Sequence, residues 1–217
     1  MNPMTRILLT AFIVITAVMG VGLYVSARDG ESAATSQSEG GPQVVRENSH
    51  RLNSAPDSDV TFVEFLDFEC EGCRAAFPAV EQLRSQYGRQ VNFVARYFPM
   101  PGHFNGERAA RAVEAAAQQG QFEPMYKMMF ETQDQWGERQ VPADDVFRSF
   151  ATELGLDMAA WQAAYNSPST LERIQEDVAD GTAMGVQGTP TFFLNGERLS
   201  IRAYSDLGAA IDRALSE

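Results

Sequence analysis

The sequence predicts an α/β domain whose sheet is interrupted by a block of helices, standing behind a separate apolar segment at the N-terminus. Three observations predict it. A near-continuous β-prone run at residues 59–68, DVTFVEFLDF, precedes a helical pattern and a second apolar strand. From about residue 104 to 186 only short helical periodicities follow one another. The chain then closes on TPTFFLNGERL, read as strand, Asn195-Gly196 turn and strand, and on a last amphipathic stretch at residues 204–215.

The elements can be justified in order. Residues 7–27 carry no charge, and these 21 positions at about 1.5 Å each reach about the 30 Å of a hydrocarbon core. Arg6 lies before the run, and Arg28, Asp29 and Glu31 lie after it, so the charge rule places everything after Ala27 outside the cytoplasm. Residues 1–27 are therefore a membrane anchor or a signal segment. The length of the run favours a retained single-pass anchor, while Val25-Ser26-Ala27 offers a small-residue cleavage site for the alternative. Residues 28–43 are rich in Ser, Gly, Ala, Gln and Glu and read as a flexible linker. Residues 44–217 form the folded domain, with an edge strand expected around residues 44–52.

Within that domain the first strand is followed by Ala76, Phe77, Val80, Leu83 and Tyr87 at helical spacing, stopped by Gly88. The second strand is residues 91–98, ended by the breakers of PMPGH. The inserted block, about residues 104–186, presents four apolar faces: Ala109, Ala110, Val113 and Ala116; then Phe122, Met125, Met128, Met129 and Phe130; then Val146, Phe150 and Leu154; then Met158, Trp161 and Tyr165. Gly120, Pro142 and Pro168 punctuate it, and a final helix at about residues 170–184 stops at Gly185. The first β-α-β unit makes parallel neighbours by a right-handed crossover, and the hairpin adds antiparallel strands.

Composition narrows the function. The 217 residues carry 17 basic and 29 acidic side chains, a formal charge of −12, which argues against a phosphate-backbone partner. Hydrophobic and charged fractions of 44% and 21% are those of a globular protein. Two cysteines exclude a disulfide-dense scaffold and a Cys-only zinc site. Glycine-rich phosphate loops, paired metal-binding histidines and serine nucleophile motifs are missing from the sequence.

The two cysteines stand three apart, in Cys70-Glu71-Gly72-Cys73, just after a buried strand and at the opening of a helix. A redox-active dithiol fits best. A structural disulfide closing so short a loop constrains the unfolded chain little, and a metal half-site would need His50 or His103, neither at ligand spacing. At the helix start the orphan N–H groups and the dipole favour an anion, which makes Cys70 the attacking thiolate. Cys73, one turn on, can resolve a mixed disulfide and is expected to be the more buried. Glu64 lies in an otherwise apolar strand, where a carboxyl is costly unless neutral or functional, and it is a candidate to exchange a proton with Cys73; an exposed edge position is the alternative. Thr189-Pro190 precedes the apolar strand at a place proline tolerates.

From about residue 44 onward the chain resembles the thioredoxin fold with an inserted helical domain, the DsbA-like branch, and more narrowly the membrane-tethered extracytoplasmic members of Gram-positive actinobacteria. The segments that carry the resemblance are VEFLDFECEGC, RYFPMPGH, ERAARAVEAAAQQGQFEPMYKMMF and VQGTPTFFLNG. The resemblance implies a thiol-disulfide oxidoreductase with Cys70 as nucleophile, Cys73 as resolving thiol, Glu64 as the buried acid, and a cis Thr189–Pro190 bond whose backbone pairs with an extended substrate. It implies no cofactor and no metal beyond the redox-active disulfide. One departure concerns Glu71 and Gly72, which stand where the strongly oxidising enterobacterial enzyme has Pro-His. With Glu69 they are expected to leave Cys70 with a higher pKa, and the couple with a lower potential, than in that enzyme.

Three functions follow. The first is a dithiol oxidase that forms disulfides in exported protein or peptide thiols and is reoxidised by a membrane-embedded partner. The second is a reductase or isomerase, or a donor to cytochrome maturation; a dimerising isomerase is disfavoured by the short segment before the domain, and a monomer is expected. The third is a chaperone-like binding module using Met100, Met125, Met128 and Met129, for which ordinary core is the simpler reading. Replacing Cys70 with alanine separates an enzyme from a chaperone. His103 reads as a loop residue, and Trp136 and Trp161 as core or groove lining.

Overall fold

The computed structural model describes residues 41–217. The expected anchor, residues 1–27, and nearly all of the linker lie outside the described residues. Among the described residues no helix is long and apolar enough to cross a membrane.

The elements run β1 (His50–Arg51), β2 (Thr61–Leu66), α1 (Glu71–Tyr87), β3 (Asn92–Tyr97), α2 (Gly106–Ala117), α3 (Phe122–Glu131), α4 (Gln133–Trp136), α5 (Asp144–Glu153), α6 (Met158–Tyr165), α7 (Pro168–Ala183), β4 (Thr191–Leu194), β5 (Glu197–Arg198) and α8 (Ser205–Ala214). The strand order is β1-β3-β2-β4-β5, with β2 and β3 parallel and the other pairs antiparallel. This is the expected α/β architecture with α2–α7 inserted between the two halves of the sheet.

β2 is the central strand, and all but its first residue are buried, which is why it reads as a continuous apolar run rather than an alternating one. Its side chains alternate between two cores. Phe62 and Leu66 join Cys73, Ala76 and Val80 of α1, the inserted helices and Leu207 and Ile211 of α8. Val63 and Phe65 join Val94, Phe98, Val186 and Phe193 on the opposite face. Glu64, sharing the parity of Phe62 and Leu66, therefore points under α1, beneath the redox helix. The turn Asn195-Gly196 takes positive φ at both residues (50° and 85°), as a two-residue hairpin requires.

Some boundaries differ from the sequence reading. The edge strand is only His50–Arg51, and His50 is occupied by Glu114 (Nε2 to Oε2, 2.6 Å) while stacking on Phe122. Pro168 does not separate elements but begins α7, where its missing N–H costs nothing, behind the Ser167 cap. In α5 the buried face is Phe147, Phe150 and Ala151, not Val146, Phe150 and Leu154. The two stripes share Phe150 and differ by one position, an ambiguity that periodicity in ten residues does not resolve. Met125 and Met129 are core, as are Trp136 and Trp161.

The face opposite α1 carries a buried ion network. Arg96 is fully buried and donates to Asp177 and Asp180 (each 2.6 Å) and to the carbonyls of Gln43 and Val44. Gln43 in turn donates its N–H to Asp180, so the chain is held to α7 from that residue onward. Beside this network Gly181 lets α7 approach the sheet: a Cβ there would stand 2.8 Å from the Phe98 ring and 3.0 Å from Phe65. Gly181→Ala is expected to lose about 1–3 kcal/mol by overpacking, despite the better helix propensity of alanine. Urea denaturation checks this, and an unchanged midpoint would mean the ring can yield.

Candidate active site

The redox helix begins where the sequence placed it. Cys70 is the N-cap of α1, with extended backbone (φ −69°, ψ 121°), and is partly exposed; Cys73 is buried. Both are free thiols, so the structure is that of the dithiol form. The Cys70 Sγ lies 3.2 Å from the Thr189 carbonyl oxygen, and the Thr189–Pro190 peptide is cis. Gly72 makes this approach possible: a Cβ on it would stand 3.3 Å from Pro190 Cδ and 3.4 Å from both Cys70 Sγ and the Thr189 oxygen. Glu71, the first helical residue, is exposed.

The two thiols are driven apart electrostatically. Cys70 is lowered to about 5, chiefly by the hydrogen bond from the Cys73 thiol, then by Thr189 and the N–H groups of Cys73 and Gly72, with burial opposing. Cys73 is pushed well above the ordinary thiol value, first by burial, then by its bond to Cys70 and the nearby Glu64 charge. One sulfur is thus a thiolate at neutral pH and the other keeps its proton. Glu64, 3% exposed in the central strand, is raised to about 8, first by burial and then by the charges of Cys70 and Glu81. The exposed-edge alternative for Glu64 is thereby excluded. The Tyr126 hydroxyl is buried without a protein partner in the same region, where Glu64, Glu81 and Cys73 all act on it.

The expected influence of two acidic neighbours on Cys70 is corrected. Glu69 is buried and turned away, accepting the N–H groups of Asn105 (2.5 Å) and Glu138 (3.1 Å), and neither it nor Glu71 is among the main causes that set Cys70. Cys70, at about 5, lies well below the ordinary thiol value, through the contacts just described.

Several residues that the sequence reading passed over shape the site. Asp67 is fully buried and gathers three donors, the N–H groups of Glu69 (2.8 Å) and Met100 (2.7 Å) and His103 Nδ1 (2.5 Å). Its own N–H points at Cys73 Sγ (3.5 Å), and its carbonyl accepts the Cys70 N–H. Gln133 of α4 donates to the Phe68 and Cys70 carbonyls, and Tyr204 donates to the Gly72 carbonyl. Asp67 had a signal in sequence, a second acid in the same apolar run as Glu64. Gln133 and Tyr204 had none. Among the described residues no cluster of three or more His, Cys, Asp or Glu side chains is placed to hold a metal ion.

Residues 50–213 match the family described as Thioredoxin. The chain belongs to the thioredoxin family. Its fold is shared by a thioredoxin-like oxidoreductase from Silicibacter pomeroyi, at 29% identity and a TM-score of 0.67 over 79% of this chain and 95% of that one. It is shared as well by BdbD from Bacillus subtilis (19%, TM-score 0.70, 82% and 97%) and by alpha-DsbA1 from Wolbachia pipientis (18%, 0.68, 80% and 94%). All three span the insertion-bearing α/β domain. Among curated proteins, the Na(+)/H(+) antiporter NhaA of Herminiimonas arsenicoxydans is 37% identical over 158 residues, 73% of this chain. NhaA 1 of Mycobacterium sp. strain KMS is 34% identical over 152 residues, 68% of this chain. The chain spans about a quarter of the length of these antiporters, 24% in each case.

Proposed function

We propose that the protein is an extracytoplasmic thiol-disulfide oxidoreductase of the DsbA type, working as a dithiol oxidase on the thiols of exported proteins or peptides. The observation that carries this reading is the geometry of the pair: Cys70 caps α1 against the cis Thr189–Pro190 loop with Cys73 buried one turn on, which lowers Cys70 to about 5 and holds Cys73 well above the ordinary value. The lower the pKa of a departing thiol, the faster and more favourably it leaves. A mixed disulfide on Cys70 is thus set up to release Cys70 and keep the new disulfide on the client.

In the forward direction a client thiolate attacks Cys70 Sγ of the Cys70/Cys73 disulfide. The S–S bond breaks and its electron pair passes to Cys73, which takes a proton from Glu64. A second client thiolate attacks the client sulfur of the mixed disulfide and expels Cys70 as thiolate. Two electrons now reside on the enzyme, and Glu64 recovers its proton from solvent. In this reading the Thr189 carbonyl, beside Cys70 Sγ, pairs with an extended client backbone. Reoxidation is assigned to a membrane-embedded partner, and an N-terminal anchor in residues 1–27 would hold the domain near it at high effective concentration. The antiporter names belong to much longer proteins, and ion transport is no part of this proposal.

The test is the reduction potential of the Cys70/Cys73 couple in the full chain, equilibrated with glutathione. A Cys70 value between those of the strong oxidant and thioredoxin leads us to expect about −150 to −200 mV. A potential at or below about −270 mV, that of thioredoxin, would make the protein a reductase instead.

A further inference from the structure

The PMPGH segment after β3 closes onto the redox loop. His103 Nδ1 lies 2.5 Å from Asp67 Oδ2, and Asp67 itself touches both cysteines, through its carbonyl to the Cys70 N–H and through its N–H to Cys73 Sγ. The contact is built to close tolerance. Gly106, at the start of α2, leaves room for the Asp67 carboxyl, which a Cβ would meet at 3.0 Å. The His103 side chain is 25% exposed, at the rim of a cleft of about 590 Å³.

We propose that His103, clamped by Asp67, is a positioning residue that sets a positive charge beside the Cys70 thiolate from outside the Cys-Glu-Gly-Cys motif. The inference rests on the thiol-disulfide reading and deepens it. The motif itself carries no cation between the cysteines, and the loop after β3 brings one. Asp67 raises His103 to about 9, with further help from the charges of Cys70 and Glu69, so between about pH 5 and 9 thiolate and imidazolium coexist. The other charges facing His103 are already matched: Arg108 of α2 with Asp144 of α5 and the Phe104 carbonyl, Arg111 with Glu107. By linkage, a thiolate that favours the imidazolium is favoured by it equally. The charge therefore stabilises the dithiol form and makes the couple more oxidising.

The experiment uses that reciprocity and needs no substitution. The chain has two histidines, and His50, bound to Glu114 and stacked on Phe122, serves as internal control. Titrating both imidazoles by NMR in the full chain, once as dithiol and once as disulfide, should show His103 at a lower pKa in the disulfide form while His50 is unmoved. The same His103 pKa in both redox states would overturn the proposal. In His103→Gln the Cys70 thiolate absorbance should titrate a few tenths of a unit higher, and the equilibrium with glutathione should shift about twofold toward the disulfide, close to 9 mV. An unshifted Cys70 titration in a folded His103→Gln chain would also overturn it. Failure of the oxidase reading would appear elsewhere, as a thioredoxin-like potential in the native chain with the redox-dependent His103 titration intact.

Discussion

Replacing Glu64 with leucine should make the folded chain more stable at alkaline pH, by about 3–5 kcal/mol at pH 9, and slow thiol exchange about 100-fold at pH 7. The stability effect follows from where the carboxyl sits. Glu64 is raised from 4.5 to about 8, with burial the first cause. A folded pKa above the unfolded one means the native state holds the proton more tightly. The associated stability is fully present below pH 4.5 and is lost as pH rises through about 8. Over that interval, at 1.36 kcal/mol per decade, the loss approaches roughly 5 kcal/mol. Leucine is close in volume and keeps the apolar contacts, so the variant escapes the loss. The rate effect has a different origin. Cys73 must gain and lose its proton in a buried place, and Glu64 is the titrating group beneath it with a value near neutrality. Glu64→Gln, which keeps polarity, should show the slow exchange as well. Urea denaturation from pH 4 to 9 reads the first effect and stopped-flow exchange the second. A leucine variant less stable than the native chain at pH 9 would show that the carboxyl is solvated after all.

Glu64 also marks how far the sequence can be read. The acid Glu64 inside TFVEFL was legible because a strand buried on both faces tolerates no unexplained charge, and the same rule applies to the buried Asp67, three residues on and just past the strand. The Cys70 thiolate, the Asn195-Gly196 hairpin and Pro190 at a strand start were legible for similar reasons: each rests on a local backbone requirement. What stayed hidden depends on contacts between distant segments. His103 reaches Asp67 across 36 residues, Gln133 reaches the Cys70 carbonyl across 63, and Tyr204 reaches Gly72 across 132. Nothing in the composition of those segments announces the partner. Glu69 shows the converse error. Its place next to a cysteine in sequence suggests an electrostatic role there, but the chain turns its carboxylate toward the backbone of residues 105 and 138. Adjacency along the chain is poor evidence for adjacency of charge at a turn, because successive side chains there diverge.

The disulfide and dithiol forms should respond to pH with different slopes. In the dithiol form Cys70 is lowered from 9.0 to about 5. A depressed pKa contributes stability that is fully present above pH 9 and is lost as pH falls through about 5. At pH 7 the folded thiolate competes against an unfolded thiol two decades from its pKa, a contribution of about 2 kcal/mol once the partial exposure of Cys70 is allowed for. Glu64 acts in the opposite sense over nearly the same window, so in the dithiol form the two largely cancel; stability should stay nearly level to about pH 6.5 and then decline as the raised His103 approaches its folded pKa of about 9. Forming the disulfide removes the Cys70 contribution and leaves the larger part of that of Glu64, the part caused by burial, since the Cys70 charge is only its second cause. The disulfide form should therefore lose stability steadily over the same range, and the gap between the forms should widen by up to about 1.4 kcal/mol per pH unit. Loop closure by the disulfide shifts the gap by a constant and cannot imitate its slope. The gap is also a redox quantity. Through the cycle linking folding and reduction, about 2 kcal/mol at pH 7 makes the folded couple roughly 40 mV more oxidising than the same dithiol in an unfolded chain. Urea denaturation of both forms at pH 5, 6, 7 and 8 measures it directly. Parallel stability curves would mean that Cys70 titrates alike in folded and unfolded chains, and the leaving-group argument for an oxidase would go with it.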